Sequence, residues 1–351
     1  MTDVRIVLVG LGNLGRRFCE VVAAREAMLA SRYGLRFVLV GAADSRGAAY
    51  DAAGLDMQAV ARLKREGGSI ADLPGVGRPG WGAVELVATA EADVLLEASP
   101  VNLDQGAEPA LTCIRRAMEK GMHVVTPNKG PLVVAFRELH DLAKAKGVAF
   151  RYDGTVAGGA PVLNLGCRDL RGARVRTLEA VPNLVTGYVM DLLADGLSWE
   201  AAIERAKASG ALEGDGTWDL EGWDAAAKLV ILANAVLGCD VKIADVVRKG
   251  ITELPQEALR LAVARGERYR LLVRAEQAED GSTTLTAVPT PLPADHPLGG
   301  LGRRQMGVVY DTDIYGTLTM IIDEQTPVPS SATMLRDLLD IYVDDHITLV
   351  S

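Results

Sequence analysis

Most of the chemistry legible in this chain lies in a glycine-rich turn and two lysines. The residues Gly10-Leu11-Gly12-Asn13-Leu14-Gly15 have the spacing G-x-G-x-x-G. They follow an apolar strand pattern, Arg5 to Gly10, and open a helical one. A pyrophosphate cradle needs that context. Gly10 permits the tight turn, Gly12 lets the backbone approach the phosphates, and Gly15 lets helix and strand pack closely. The helix N-terminus offers N–H groups and partial positive charge. The plain alternative is a turn that binds nothing. The placement favours a dinucleotide, with Gly10, Gly12, Asn13, Leu14 and Gly15 forming its loop. The second strand pattern ends at Asp44, followed by Ser45 and Arg46. An acid there suits a ribose 2′-hydroxyl, a Ser-Arg pair suits a 2′-phosphate, and Asp-Ser can also simply cap a turn. The cofactor expectation is therefore NAD(P), with the choice open.

Further candidates sit at later strand ends, where ligands of open α/β sheets bind. Ser99 and Pro100 end one strand pattern, and Thr126, Pro127, Asn128 and Lys129 end the next. Lys129 is either a solvated loop residue or a charge facing the crevice. The run from Leu212 to Gly238 is the most informative of the second half. It places Glu213, Asp215, Asp219, Glu221 and Asp224 ahead of Lys228. Asp224 and Lys228 are i and i+4 on one helix face. A surface salt pair is the bland reading. Against it, the helix beyond Lys228 is apolar on nearly every side, and a lysine entering a buried helix needs a partner or a task. The surrounding acids suit the ammonium group of an amino acid.

The elements that must position these residues come next. Strand patterns at residues 5–10, 35–42, 92–99, 122–127 and 147–154 alternate with helical ones at 13–30, 107–120 and 131–146. Such alternation predicts a doubly wound parallel sheet. Residues 44–82 read as a long irregular connection with one short helix over 56–66. Beyond Gly154 the strict alternation stops. Helices are expected at 161–171, 198–209, 222–238 and 331–342, and strands at 174–181, 267–275, 283–288, 304–311 and 316–322. The expectation is an α/β protein with an N-terminal doubly wound Rossmann domain (1–153), an α+β substrate and dimerisation domain (154–322), and a C-terminal stretch (323–351) returning to the first domain.

The chain has 351 residues, 37 basic and 46 acidic, for a net charge of −9. That balance, with aromatics at 5%, argues against nucleic acid as the main partner. Cys19, Cys113, Cys167 and Cys239 form no C-x-x-C pair and are expected to be buried reduced thiols of a cytoplasmic protein. Strand alternation from Val4 leaves no leader pattern, and no apolar run approaches the length of a membrane span. His123, His140, His296 and His346 are scattered without metal-ligand spacing. Trp199, Trp218 and Trp223 are expected to pack.

Four blocks now resemble the homoserine dehydrogenase family. They are GLGNLG, HVVTPNKGPL from His123, YDGTVAGGAPVL from Tyr152, and LEGDGTWDLEGWDAAAKLVILA from Leu212. They run in order from about residue 5 to 240, the fourth being the most specific, with PLPADHPLGGL from Pro291 extending the likeness more weakly. The resemblance implies reversible, NAD(P)-dependent reduction of L-aspartate 4-semialdehyde to L-homoserine, in amino-acid biosynthesis, by a homodimer. It places Lys228 on the family's proton donor, Asp224 on its orienting partner, and Lys129 on a second active-site lysine. Glu213, Asp219 and Asp224, with Asn183 and Thr186, fall on the substrate site. Asp153, Val156 and Gly158 fall near a loop that in the family binds a monovalent cation such as Na⁺, largely through backbone carbonyls.

Two stretches depart from the family pattern, NLVTGY (Asn183 to Tyr188) and EQTPVPSSAT (Glu324 to Thr333). In the first, Leu184 and Val185 replace a Gly-Thr that would line the substrate pocket. Two rival readings follow. One keeps the enzyme class and changes the substrate to another small hydroxy or oxo acid. The other is a non-catalytic, dinucleotide-responsive binding protein.

Overall fold

The computed structural model describes residues 1–212 and 214–343. The chain divides into two units, Met1–Thr155 together with the chain from Thr326 onward, and Val156–Gln325. The family-implied substrate contact Glu213 lies outside the described residues.

In the first unit, seven strands form one sheet: β1 (Thr2–Val9), β2 (Leu35–Asp44), β3 (Gly47–Leu55), β4 (Gly77–Arg78), β5 (Val94–Glu97), β6 (His123–Val125) and β7 (Phe150–Arg151). The order is β4-β3-β2-β1-β5-β6-β7. Strands β1, β2, β5, β6 and β7 run parallel, whereas β3 turns back antiparallel on β2. The order reverses between β1 and β5, and that switch point opens a crevice beyond their carboxyl ends. The helices are α1 (Asn13–Tyr33), α2 (Met57–Arg65), α3 (Ala83–Thr89), α4 (Ala110–Glu119) and α5 (Lys129–Lys146), the last broken at Ala135. Helix α1 stops at Gly34, whose left-handed backbone directs its N–H to Ala30 and Leu29 carbonyls.

One expectation fails here. Residues 47–55, which read as irregular, are a strand. The segment GAAYDAAGL has weak β propensity, and its pairing with β2 supplies what local preference does not. Helix α3 is likewise absent from the sequence pattern.

The second unit holds a six-stranded sheet of β8 (Val175–Val181), β9 (Val247–Arg248), β10 (Glu267–Gln277), β11 (Thr283–Pro293), β12 (Gln305–Thr312) and β13 (Thr317–Asp323), ordered β13-β12-β8-β10-β11-β9. Its helices are α6 (Val162–Asn164), α7 (Leu184–Ala194), α8 (Trp199–Ala208), α9 (Thr217–Leu220), α10 (Trp223–Val236) and α11 (Gln256–Ala264). Helices α7, α10 and α11 pack on β10. Helix α12 (Val328–Tyr342) belongs to the first unit, where Met334, Leu335 and Leu338 join the core formed by Phe18, Val21 and Ile6.

Helix α10 buries Ala225, Leu229, Val230 and Leu232, as its all-round apolar sequence requires. Helix α7, over part of NLVTGY, is not among the helices the sequence pattern predicts. Asn183 accepts hydrogen bonds from Val185 and Thr186 N–H at 2.8 and 3.3 Å, so it caps the helix and Leu184 and Val185 form its first turn. Helix α12 likewise begins at Val328, inside the stretch EQTPVPSSAT.

Cys19 and Cys113 are buried, and burial pushes both thiols up to about 12. Cys167 is exposed and Cys239 half-buried, against expectation. Trp218 and Trp223 are 38% and 37% exposed but pack on each other, their ring centroids 6.1 Å apart, with the Arg248 guanidinium over the Trp223 ring. No helix among the described residues is long and apolar enough to cross a membrane.

Candidate active site

The phosphate loop joins β1 to α1. Gly10 has φ +92°, and a Cβ there would lie 2.3 Å from the Ala98 carbonyl oxygen. A Cβ on Gly15 would lie 2.0 Å from the Gly10 carbonyl oxygen. Both positions are therefore closed to any side chain. Gly12 is different: nothing lies within 4 Å of its missing Cβ. It is also the residue that begins α1, and it supplies no side-chain cap. Asn13 and Leu14 form the first turn. This is a cradle with open space on the side where a diphosphate would approach, so the residues fit a dinucleotide.

Asp44 ends β2, with Ser45 and Arg46 exposed at the turn into β3. Its carboxylate is already saturated. Oδ1 accepts from Arg46 N–H at 2.9 Å and from the Ser69 hydroxyl at 3.0 Å. Oδ2 accepts from Lys64 Nζ at 2.7 Å and from Ile70 N–H at 3.1 Å. Burial alone would raise this carboxyl, but Lys64 and the hydrogen bonds hold it below the ordinary carboxylate range. Asp44 thus caps a turn, as one sequence alternative had it, and also binds a lysine that sequence reasoning missed. Lys64 lies 20 positions on, and only the unanticipated strand β3 brings it back.

At the crevice, Ser99 and Pro100 follow β5, and Thr126, Asn128 and Lys129 follow β6. Asn128 caps α5, its side-chain oxygen accepting from Gly130 N–H at 2.9 Å, and Lys129 is the first helical residue, half-buried. The Asn128 amide donates to the Ser99 carbonyl at 3.1 Å, which ties the two strand ends together.

In the second unit, the lysine and its acids converge. Lys228 Nζ donates to Asp224 Oδ2 at 2.8 Å and to the Pro182 carbonyl at 2.7 Å. Only 13% of the Lys228 side chain and 8% of the Asp224 side chain are exposed, so this is no surface salt pair. Asn183 donates to Asp224 Oδ2 at 2.6 Å and to Asp219 Oδ1 at 2.5 Å. Thr186 lies beside them, with its buried hydroxyl oxygen lacking a hydrogen-bond partner. Asn183, Thr186, Asp219, Asp224 and Lys228 are therefore brought together by the starts of α7 and α10 and by α9. The cluster presents one ammonium and two carboxylates, enough to grip an α-ammonium and to protonate an oxygen.

The candidate cation residues divide between the units: Asp153 falls in the first, Val156 and Gly158 in the second. Asp153 is buried and its carboxylate engages Arg336. Among the described residues, no group of three His, Cys, Asp or Glu side chains could hold a metal.

A dinucleotide cradle and a buried amine set among carboxylates are the parts of an NAD(P)-dependent oxidoreductase acting on a small amino acid. Comparison with known proteins agrees. Residues 10–153 match the family model for the homoserine dehydrogenase NAD-binding domain, and residues 161–339 match the model for homoserine dehydrogenase. The chain belongs to the homoserine dehydrogenase family. It is 35% identical to the homoserine dehydrogenase of Methanocaldococcus jannaschii over 96% of this chain and 98% of that one. It is 32% identical to the NAD(+)-dependent homoserine dehydrogenase of Pseudomonas canavaninivorans over 97% of both. The solved homoserine dehydrogenase of Thermoplasma acidophilum superposes with a TM-score of 0.81 at 26% identity, covering 96% of this chain and 98% of that chain.

Proposed function

We propose that the chain interconverts L-homoserine and L-aspartate 4-semialdehyde, with Lys228 as the proton-transfer group. The single observation that carries this reading is the linked set Lys228–Asp224–Asn183–Asp219. A bound nicotinamide would supply the hydride acceptor or donor. Lys228, positioned by Asp224 and the Pro182 carbonyl, stabilises the substrate alkoxide and gives it a proton. Asp219, Asp224 and Glu213 take the substrate's α-ammonium, and Asn183 keeps the first two in register. Thr186 offers its hydroxyl to the same pocket. Lys129 adds positive charge at the crevice.

The same reading favours NADP over NAD. A ribose 2′-hydroxyl needs a carboxylate with a vacant lone pair, and the Asp44 oxygens are filled by Lys64, Ser69, Arg46 and Ile70. A 2′-phosphate instead draws on Lys64 and Arg46. In an absorbance assay of homoserine oxidation, kcat/KM with NADP should exceed that with NAD by about tenfold, roughly 1.4 kcal/mol. Lys64→Met should reverse the order, because it frees Asp44. Equal use of both cofactors by the parent and by Lys64→Met would refute the assignment. Replacing sodium by tetramethylammonium in the same assay tests the cation: a rate unaltered by the exchange removes it.

We further read the protein as a cytoplasmic homodimer whose ligands are small molecules, with neither nucleic acid nor membrane as partner. Light scattering on the purified chain checks the assembly; a mass equal to one chain at micromolar concentration would exclude the dimer.

A further inference from the structure

Glu97 is a buried carboxyl group at the crevice that the proposed reaction does not use. It ends β5, between β1 and β6, and is 0% exposed. An acid at the end of an otherwise apolar parallel strand is costly unless it is hydrogen-bonded. Its Oε1 accepts from Ser99 N–H at 2.9 Å and from the Ser99 hydroxyl. Its Oε2 lies 3.3 Å from the Thr126 hydroxyl oxygen.

The Thr126 hydroxyl donates to the Glu97 main-chain carbonyl at 2.8 Å and, at 3.3 Å, to Oε2, its one proton shared between them. The same oxygen accepts from Asn128 N–H at 3.0 Å. Thr126 is thereby tied to both the main-chain and the side-chain oxygen of Glu97. The partners of the carboxyl here are hydroxyls and amides, none of them charged. Burial pushes this carboxyl above its ordinary range, against the pull of the Ser99, Asn128 and Thr126 hydrogen bonds.

We propose that Glu97 is a positioning residue of the hydride-transfer site: a buried carboxyl that latches the end of β5 to the end of β6, and through Asn128 fixes where α5 starts and Lys129 emerges. The latch is a closed circuit. Glu97 holds Ser99 and Thr126, Thr126 holds Asn128 N–H, and the Asn128 side chain returns to Ser99 while capping α5. A reacting group misplaced by a fraction of an ångström is enough to slow catalysis, and such supporting bonds set that precision. The proposal rests on Lys129 belonging to the active site.

The test compares three variants by kcat, by KM for homoserine and by cofactor affinity from the fluorescence of bound reduced nicotinamide. Glu97→Gln keeps the volume and an acceptor for Ser99, with an amide that can still bond the Thr126 oxygen, and should stay within about threefold of the parent in every constant. Glu97→Leu keeps the volume and opens the circuit. It should lose about tenfold or more in kcat with cofactor affinity held within about threefold. A Glu97→Leu chain with parental kcat, or a Glu97→Gln chain as impaired as Glu97→Leu, overturns the proposal. If Glu97→Leu does not fold, Thr126→Val opens the same circuit, and the same kcat loss is expected; a parental rate overturns it. Lys129→Met separates the two ideas. If it leaves kcat unchanged, the role of Lys129 fails, and the latch has nothing to position. If it lowers kcat, Glu97→Leu added to Lys129→Met should cost less than about a further threefold, because both act through one group; fully multiplied losses would show that Glu97 does not work through Lys129.

Discussion

Lys228→Met should lower kcat for homoserine oxidation by about 10²–10⁴-fold, the usual contribution of a positioned acid–base group. The substitution keeps a flexible apolar stem of similar length and removes only the ammonium. Cofactor affinity should stay within about threefold, because the Lys228 ammonium is held by Asp224 and the Pro182 carbonyl rather than by the GLGNLG loop. A complication needs its own control. Deleting the ammonium strands Asp224, whose side chain is 8% exposed, and an uncompensated buried charge costs several kcal/mol, about 3–5 when one partner of a buried pair is removed. Lys228→Met alone can therefore lose activity by unfolding. The double variant Lys228→Met with Asp224→Asn carries no stranded charge. Its thermal midpoint should recover most of the loss while its turnover stays low. A single variant that folds and turns over within about threefold of the parent would remove Lys228 from the mechanism.

The parts of this protein that sequence reasoning reaches are those encoded locally. The strand–glycine loop–helix at residues 10–15 is contiguous, and each glycine has a steric reason visible in its spacing. Asp224 and Lys228 lie one helical turn apart, so the i, i+4 pair is legible from spacing alone, and burial of the helix follows from its apolar run. The doubly wound order of the first unit follows from alternating patterns in the same way.

What escapes depends on tertiary pairing. Lys64 meets Asp44 only because β3 folds back on β2, and the Ala- and Gly-rich sequence of β3 has no strong strand signature. The Pro182 carbonyl that receives Lys228 is main chain, and no side-chain pattern reports it. Helix α7 is obscured for another reason. Its sequence departs from a family pattern, which draws attention to a loop, although an Asn ahead of an apolar run is an ordinary helix start. Glu97 has a readable signal, an acid inside ADVLLEAS, but its bond to Thr126 on the neighbouring strand end is evident only from the fold.

The same distinction between local and tertiary constraint separates the glycines of the phosphate loop, and it predicts opposite outcomes for two similar substitutions. Gly12→Ala should fold like the parent and lose cofactor. The position has φ −75°, in reach of any residue, and its new methyl would meet nothing within 4 Å in the protein. The apo-protein's thermal midpoint should move by less than about 2 °C, corresponding to well under 1 kcal/mol for a domain of this size. The methyl would occupy the space through which a pyrophosphate reaches the α1 N-terminus, so affinity for reduced cofactor should fall at least tenfold, about 1.4 kcal/mol or more. Gly15→Ala should do the reverse in order of events. Its methyl would sit 2.0 Å from the Gly10 carbonyl oxygen, so α1 must retreat from β1 before any ligand arrives. Overpacking of that kind costs about 1–3 kcal/mol, which lowers the apo-protein's midpoint by several degrees, about 2–4 °C per kcal/mol. Cofactor affinity then falls as a consequence of the displaced helix. Calorimetry of the apo-proteins and fluorescence titration with reduced cofactor would separate the two. An apo Gly12→Ala protein as unstable as Gly15→Ala would contradict the open space at Gly12, and parental cofactor affinity in Gly12→Ala would mean that the diphosphate does not pass over this loop.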